Sequence, residues 1–86
     1  MKTLYLFTQT PNEFNIKLLK NLIDDTDCVI FIQNGVYFAR HELTLGCQGY
    51  VLNADLKARG IETGLKTINY DELVDLFFTY ERIVTI

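Results

Sequence analysis

The pattern of apolar runs in this chain predicts an α/β domain of three layers, an open and mostly parallel sheet of about five strands with helices on both faces. Three observations support that expectation. Short β-branched and aromatic runs alternate with helical stretches along the whole length. One run, Cys28-Val29-Ile30-Phe31-Ile32, is apolar without alternation, as in a strand covered on both faces of a parallel sheet. The 86 residues hold no linker, repeat or low-complexity segment, so residues 1–86 are expected to form a single domain.

Taken in order, residues 4–7 read as the first strand. Thr8-Gln9-Thr10-Pro11-Asn12-Glu13 then opens a helix. Thr10 is placed to accept from the Glu13 amide while Glu13 reaches back, and Pro11 falls at the first helical position, where its missing donor is harmless. This helix is expected to reach about residue 23, with Phe14, Leu18, Leu19, Leu22 and Ile23 on its core side, before Asp24-Asp25-Thr26-Asp27 breaks it. Residues 28–32 form the central strand. A short helix over about residues 36–43, a loop over 44–49 and a third strand over 50–52 follow. Asn53 suits a helix N-cap, and Gly60 suits the left-handed residue that ends the same helix. Residues 66–69 read as a short fourth strand, 71–80 as a last helix with acids in its first turn, and 83–86 as a final strand.

Composition excludes some functions. With 49% hydrophobic residues, six Phe, five Tyr and only 22% charged, the chain has the means to form a core and is not disordered. Its net charge is -3 and its eight Lys and Arg are scattered, so no basic stripe exists to neutralise a run of phosphates, and direct nucleic-acid binding is not expected. The first apolar run is too short for a secretory signal, and nothing approaches the length of a membrane span. A cytoplasmic protein without a membrane partner is expected, with Cys28 and Cys47 as two free thiols.

Sites in open α/β sheets collect at the carboxyl ends of the strands. There the chain offers Thr8-Gln9-Thr10, Gln33-Asn34-Gly35 and Asn53-Ala54-Asp55: amides, hydroxyls and one carboxylate, with no Cys, His or Lys nucleophile. No Gly-rich phosphate loop follows the first strand, so no cofactor is expected, although a small molecule held by backbone amides is an alternative. Cys47, flanked by Gly46 and Gly49, is the one candidate nucleophile, a reachable thiol that could carry persulfide sulfur in a homo-oligomer. It precedes the third strand, however, and so belongs to the opposite edge of the sheet. Cys28 lies in the most apolar strand and reads as a small hydrophobe. His41 with Cys28 and Cys47 makes only three soft ligands, one of them buried, so no metal is expected.

Excess apolar surface is the stronger signal. On the last helix Leu73, Leu76, Phe77 and Tyr80 form one stripe, and Val74 and Phe78, with Tyr70 just before, widen it to roughly 200°, about twice what one sheet face uses. Val36, Tyr37, Phe38 and Ala39 are four consecutive apolar residues that cannot all point inward along a regular helix. Val36, Tyr37, Phe38, Val74 and Phe78 are therefore expected to form a protein interface, aromatic-rich and poor in charge.

Three segments carry a resemblance. Ile32-Gln33-Asn34-Gly35-Val36, then residues 50–60 with Asp55-Leu56-Lys57-Ala58-Arg59-Gly60 at their end, then Ile68-Asn69-Tyr70-Asp71-Glu72-Leu73-Val74-Asp75-Leu76 are similar, in order and spacing, to the TusB/DsrH family from about Asp27 onward. The resemblance implies a flavodoxin-like α/β/α domain of the DsrE/DsrF/DsrH-like superfamily. It implies a subunit of a sulfur-relay complex, alongside TusC/DsrF-like and TusD/DsrE-like partners, that serves 2-thiolation of the tRNA wobble uridine or, in sulfur oxidisers, the corresponding DsrE-DsrF-DsrH exchange. In that family the catalytic cysteine is attributed to the TusD/DsrE-type subunit, at the carboxyl end of the strand corresponding to residues 50–52, near Asn53. No cysteine stands there, so the resemblance implies a non-catalytic subunit.

Overall fold

The computed structural model describes residues 2–21, 23–40 and 45–86. Five strands, β1 (Thr3–Phe7), β2 (Cys28–Phe31), β3 (Gln48–Leu52), β4 (Lys66–Ile68) and β5 (Arg82–Thr85), form one sheet in the order β4-β3-β2-β1-β5, with every neighbouring pair parallel. Between them lie α1 (Glu13–Asn21), a 3-10 helix (Gln33–Arg40), α2 (Asn53–Arg59) and α3 (Tyr70–Thr79). The sheet grows one way from β1 to β4 and then returns past three strands to the far side of β1. A fixed crossover hand puts the return connection on the other face.

Two apolar clusters match the two faces. Phe7, Val29, Phe31 and Val51 pack with Leu56 of α2 and with Ile16 and Leu19 of α1. Leu4, Leu6, Cys28, Ile30 and Leu52 pack with Leu73, Leu76, Phe77 and Tyr80 of α3. Every residue of β2 is buried, as its unbroken apolar run predicts for the middle strand. The third strand begins at Gln48 rather than residue 50, because its register with β2 continues down to Cys28 opposite Gln48.

Several local expectations are corrected. The helix α1 is not capped by Thr10 and Glu13: Asn12 Oδ1 accepts from the Asn15 amide at 2.9 Å, and Asn15 Oδ1 accepts from the Asn12 amide at 2.7 Å. That reciprocal pair is a capping box shifted two residues along the chain. Ile16 and Leu19 face the core, whereas Phe14, two positions before Ile16, is turned outward and 69% exposed. Leu22, expected on the core side, lies outside the described residues, as do residues 41–43 of the expected second helix. Asn53 is the first residue of α2 and caps nothing; the N-cap is Leu52, without a side-chain bond. Gly60 does take the left-handed conformation that ends α2 (φ 62°).

The largest correction concerns the segment before residue 41. Val36, Phe38 and Ala39 are buried, with only Tyr37 partly exposed, so Val36 and Phe38 are core residues and not a docking surface. The physical reason is the tight 3-10 winding together with contact on several sides: the helix packs against β1, β2, β3 and α2 at once. Phe38 stacks on Phe31 and meets Phe7 edge-on, with ring centroids 5.2 and 5.4 Å away. Gly35 permits the approach, since a Cβ there would fall inside the Phe7 carbonyl oxygen.

Candidate functional site

At the carboxyl end of the sheet the polar residues are tied to one another. Gln33 leaves β2 with φ 52° and donates its amide to Asp55 Oδ2 at 2.6 Å. Arg59 donates from Nε and Nη2 to Asn34 Oδ1 at 3.3 and 3.1 Å and from Nη1 to the Asp55 carbonyl at 3.2 Å, with the Asp55 carboxylate 3.7 Å away. Sequence reading singled out Gln33, Asn34 and Asp55 separately; the fold joins them through Arg59, one turn after Asp55 on α2. Asn53, the position without a cysteine, begins the helix beside this lock. The outcome is a braced edge whose one carboxylate is already engaged.

A recess of about 400 Å³ lies where the strand order reverses, between the ends of β1 and β5 and the start of α1. It is walled by Phe14 and Leu18; the side-chain oxygens of Asn12 and Asn15 accept from each other's backbone amides, and Asn15 Nδ2 donates to the Thr10 carbonyl at 3.1 Å.

Cys47 stands immediately before β3, at the amino end of the sheet and far from the braced edge. Burial, then the nearby Asp27 and Asp24 carboxylates, push its thiol above the ordinary value. That is the opposite of what a sulfur-accepting thiolate needs. Cys28 is fully buried on the α3 face, where burial pushes it up to about 11, and the neighbouring Tyr80 hydroxyl rises to about 12, mainly through its own burial. His41 lies outside the described residues.

Apart from Phe14 of α1, the large exposed apolar side chains among the described residues lie on α3 and β5. Glu72, Asp75, Leu76 and Thr79 line a recess with Lys66 and Ile68 of β4, which fixes that flank of the helix over β4. Tyr70, Val74 and Phe78 lie on the opposite flank, toward β5, and are 59%, 47% and 86% exposed. Ile83 of β5 pairs with Leu4 and so shares this face; it is 43% exposed. The sequence pattern found Val74 and Phe78 but not Ile83, which joins them only through the register of β5 on β1.

Comparison with known proteins follows the same outline. The family described as "DsrH like protein" matches residues 9–83, which carries the likeness well ahead of Asp27. Two relatives, both named Protein TusB, are each 31% identical: one from Buchnera aphidicola subsp. Baizongia pistaciae, covering 92% of this chain and 95% of that protein, and one from Cronobacter sakazakii, covering 85% and 88%. The solution NMR structure of protein Tm0979 from Thermotoga maritima superposes with a TM-score of 0.74 at 26% identity, over 92% of this chain and 93% of that one. Among the described residues, no helix is long and apolar enough to cross a membrane.

Proposed function

From the premise that the chain belongs to the DsrH-like family, we propose that it is a non-catalytic subunit of a cytoplasmic sulfur-relay complex, docking TusC/DsrF-like and TusD/DsrE-like subunits and serving 2-thiolation of the tRNA wobble uridine. The observation that carries the docking role is the apolar flank of Tyr70, Val74, Phe78 and Ile83, left in solvent on a face that otherwise packs well. An exposed ring such as Phe78 at 86% adds nothing to the folded monomer's core. The absence of a chemical role for this subunit is supported by Asn53 at the position of the family's cysteine and by the suppressed acidity of Cys47.

The test is co-expression with the TusC-like and TusD-like proteins of the same cell, followed by size-exclusion chromatography. Wild-type chain is expected to co-elute with both. Phe78→Glu should abolish co-elution while leaving the thermal midpoint of the isolated chain within about 4 °C, since an exposed surface change is worth only ~0.5 kcal/mol. Cys47→Ser should leave sulfur transfer by the assembled complex intact; a complex inactivated by that single change would refute the non-catalytic assignment.

A further inference from the structure

The recess where the strand order reverses has no part in docking, since α1 covers the sheet face opposite α3. Ligands of open α/β sheets bind outside the carboxyl ends of the strands at such a reversal. Its volume of about 400 Å³ is that of a small-molecule pocket. The frame is fixed. Thr8 donates its amide and its hydroxyl to the Ile86 carbonyl at 2.8 and 2.9 Å, which ties the end of β1 to the end of β5. The reciprocal bonds of Asn12 and Asn15 hold the start of α1, and the buried Asn15 side chain is anchored again on the Thr10 carbonyl. Braced walls lose little freedom when a ligand enters.

The lining selects the ligand. Phe14 supplies an aromatic ring left mostly in solvent, with Leu18 and Ile86 as the other apolar surface. Gln9, Asn12 and Thr85 supply the polar groups. Among the described residues, the Gln9 carboxamide has no hydrogen-bond partner in the protein, so it keeps both its donors and its acceptor. No charged side chain lines the recess. Glu13 stands in the first turn of α1, where it answers the helix dipole, and pairs with Lys17 at 3.6 Å. A phosphate or carboxylate therefore finds no cation here, and an aliphatic ligand would leave the carboxamide unpaired. A flat, uncharged heterocycle with a donor beside an acceptor satisfies both parts. Its face stacks on an aromatic side chain, and its edge pairs with a carboxamide as Gln and Asn pair with N6 and N7 of adenine.

We propose that this recess binds the adenine-type heterocycle of a nucleoside, stacked on Phe14 and held at its edge by Gln9. Such a ring comes either as a free nucleoside or as an unstacked base of single-stranded RNA. The lack of cations to meet backbone phosphates assigns the free nucleoside.

Titration of the 15N-labelled chain with adenosine, followed by NMR, should shift the signals of Gln9, Asn12 and Phe14 and saturate with a Kd on the order of 0.1–1 mM. Phe14→Ala should weaken binding at least ~5-fold, the worth of one stacked base, whereas Phe14→Tyr keeps the ring and should bind as the wild type does. Gln9→Ala should weaken it about threefold or more. Both side chains are exposed, so the rest of each variant's spectrum should match the wild type. Adenosine monophosphate and a short oligoadenylate should bind no more tightly than adenosine. Absence of saturable shifts, shifts centred away from the recess, wild-type binding by Phe14→Ala or Gln9→Ala, or tighter binding of the oligoadenylate would each overturn the proposal. None of these results bears on co-elution with the TusC-like and TusD-like proteins, which tests the docking role separately.

Discussion

Gln33 illustrates how one residue can hold an edge. It has a left-handed backbone that costs an L-residue roughly 1–2 kcal/mol, and the Asp55 carboxylate bonded to its amide keeps it there. Gln33→Gly should therefore stabilise the protein by up to ~1 kcal/mol in a urea titration, the relief of strain exceeding the entropy cost of glycine. Asp55→Ala should destabilise it by ~1–2 kcal/mol, because it removes that acceptor and the Arg59 partner together. Cys28 makes a pH-dependent contribution. Its value rises from 9.0 unfolded to about 11 folded, so the stability tied to the neutral thiol is complete below pH 9 and lost as pH climbs toward 11, on the order of 2 kcal/mol. Unfolding midpoints measured from pH 8 to 11 should decline in the wild type and decline less in Cys28→Ala, from a lower starting point. The burial of Cys28 was legible in its apolar run. Its pairing with Tyr80, from the other end of the chain, was not, because only the packing of α3 onto β2 brings them together.

Among the elements, α1 and the 3-10 helix show where reading the sequence reaches its limit. Two capping patterns overlap at the start of α1, Thr10 with Glu13 and Asn12 with Asn15, and local chemistry permits both; the register on the sheet selects the second and turns Phe14 to solvent. Residues 36–39 escape the argument from consecutive apolar residues for another reason: in an element pressed against three strands and a helix, Val36, Phe38 and Ala39 are all buried and only Tyr37 stays partly open. The strands β1 and β2 and the end of β3 were legible as apolar runs, β4 and β5 only as short stretches between helices, and the flank of α3 because its apolar arc exceeds what one sheet face can cover. Gly35→Ala should cost at least ~3 kcal/mol, the top of the usual overpacking range, since the obstacle is backbone at the end of β1 and cannot swing aside. Asn69→Ala should cost ~1 kcal/mol by removing the cap of α3. Chemical denaturation monitored by circular dichroism would measure both losses.

At the scale of the whole molecule, the two faces are unequally covered. One carries α1, the 3-10 helix and α2; the other, among the described residues, carries α3 alone, and the exposed apolar side chains of α3 and β5 lie along its β5 flank. The strand order adds an element of timing. While β1 through β4 pair in the order in which they are made, β5 must join β1 across nearly the entire chain, a closure that comes late in folding. Until residues 82–85 emerge from the ribosome, β1 keeps an unpaired edge and Ile83 has no place opposite Leu4. The surface proposed for assembly is thus the last to be completed, and a truncated or half-folded chain cannot present it. A complex that recognises this surface would then admit only chains in which β5 has closed on β1.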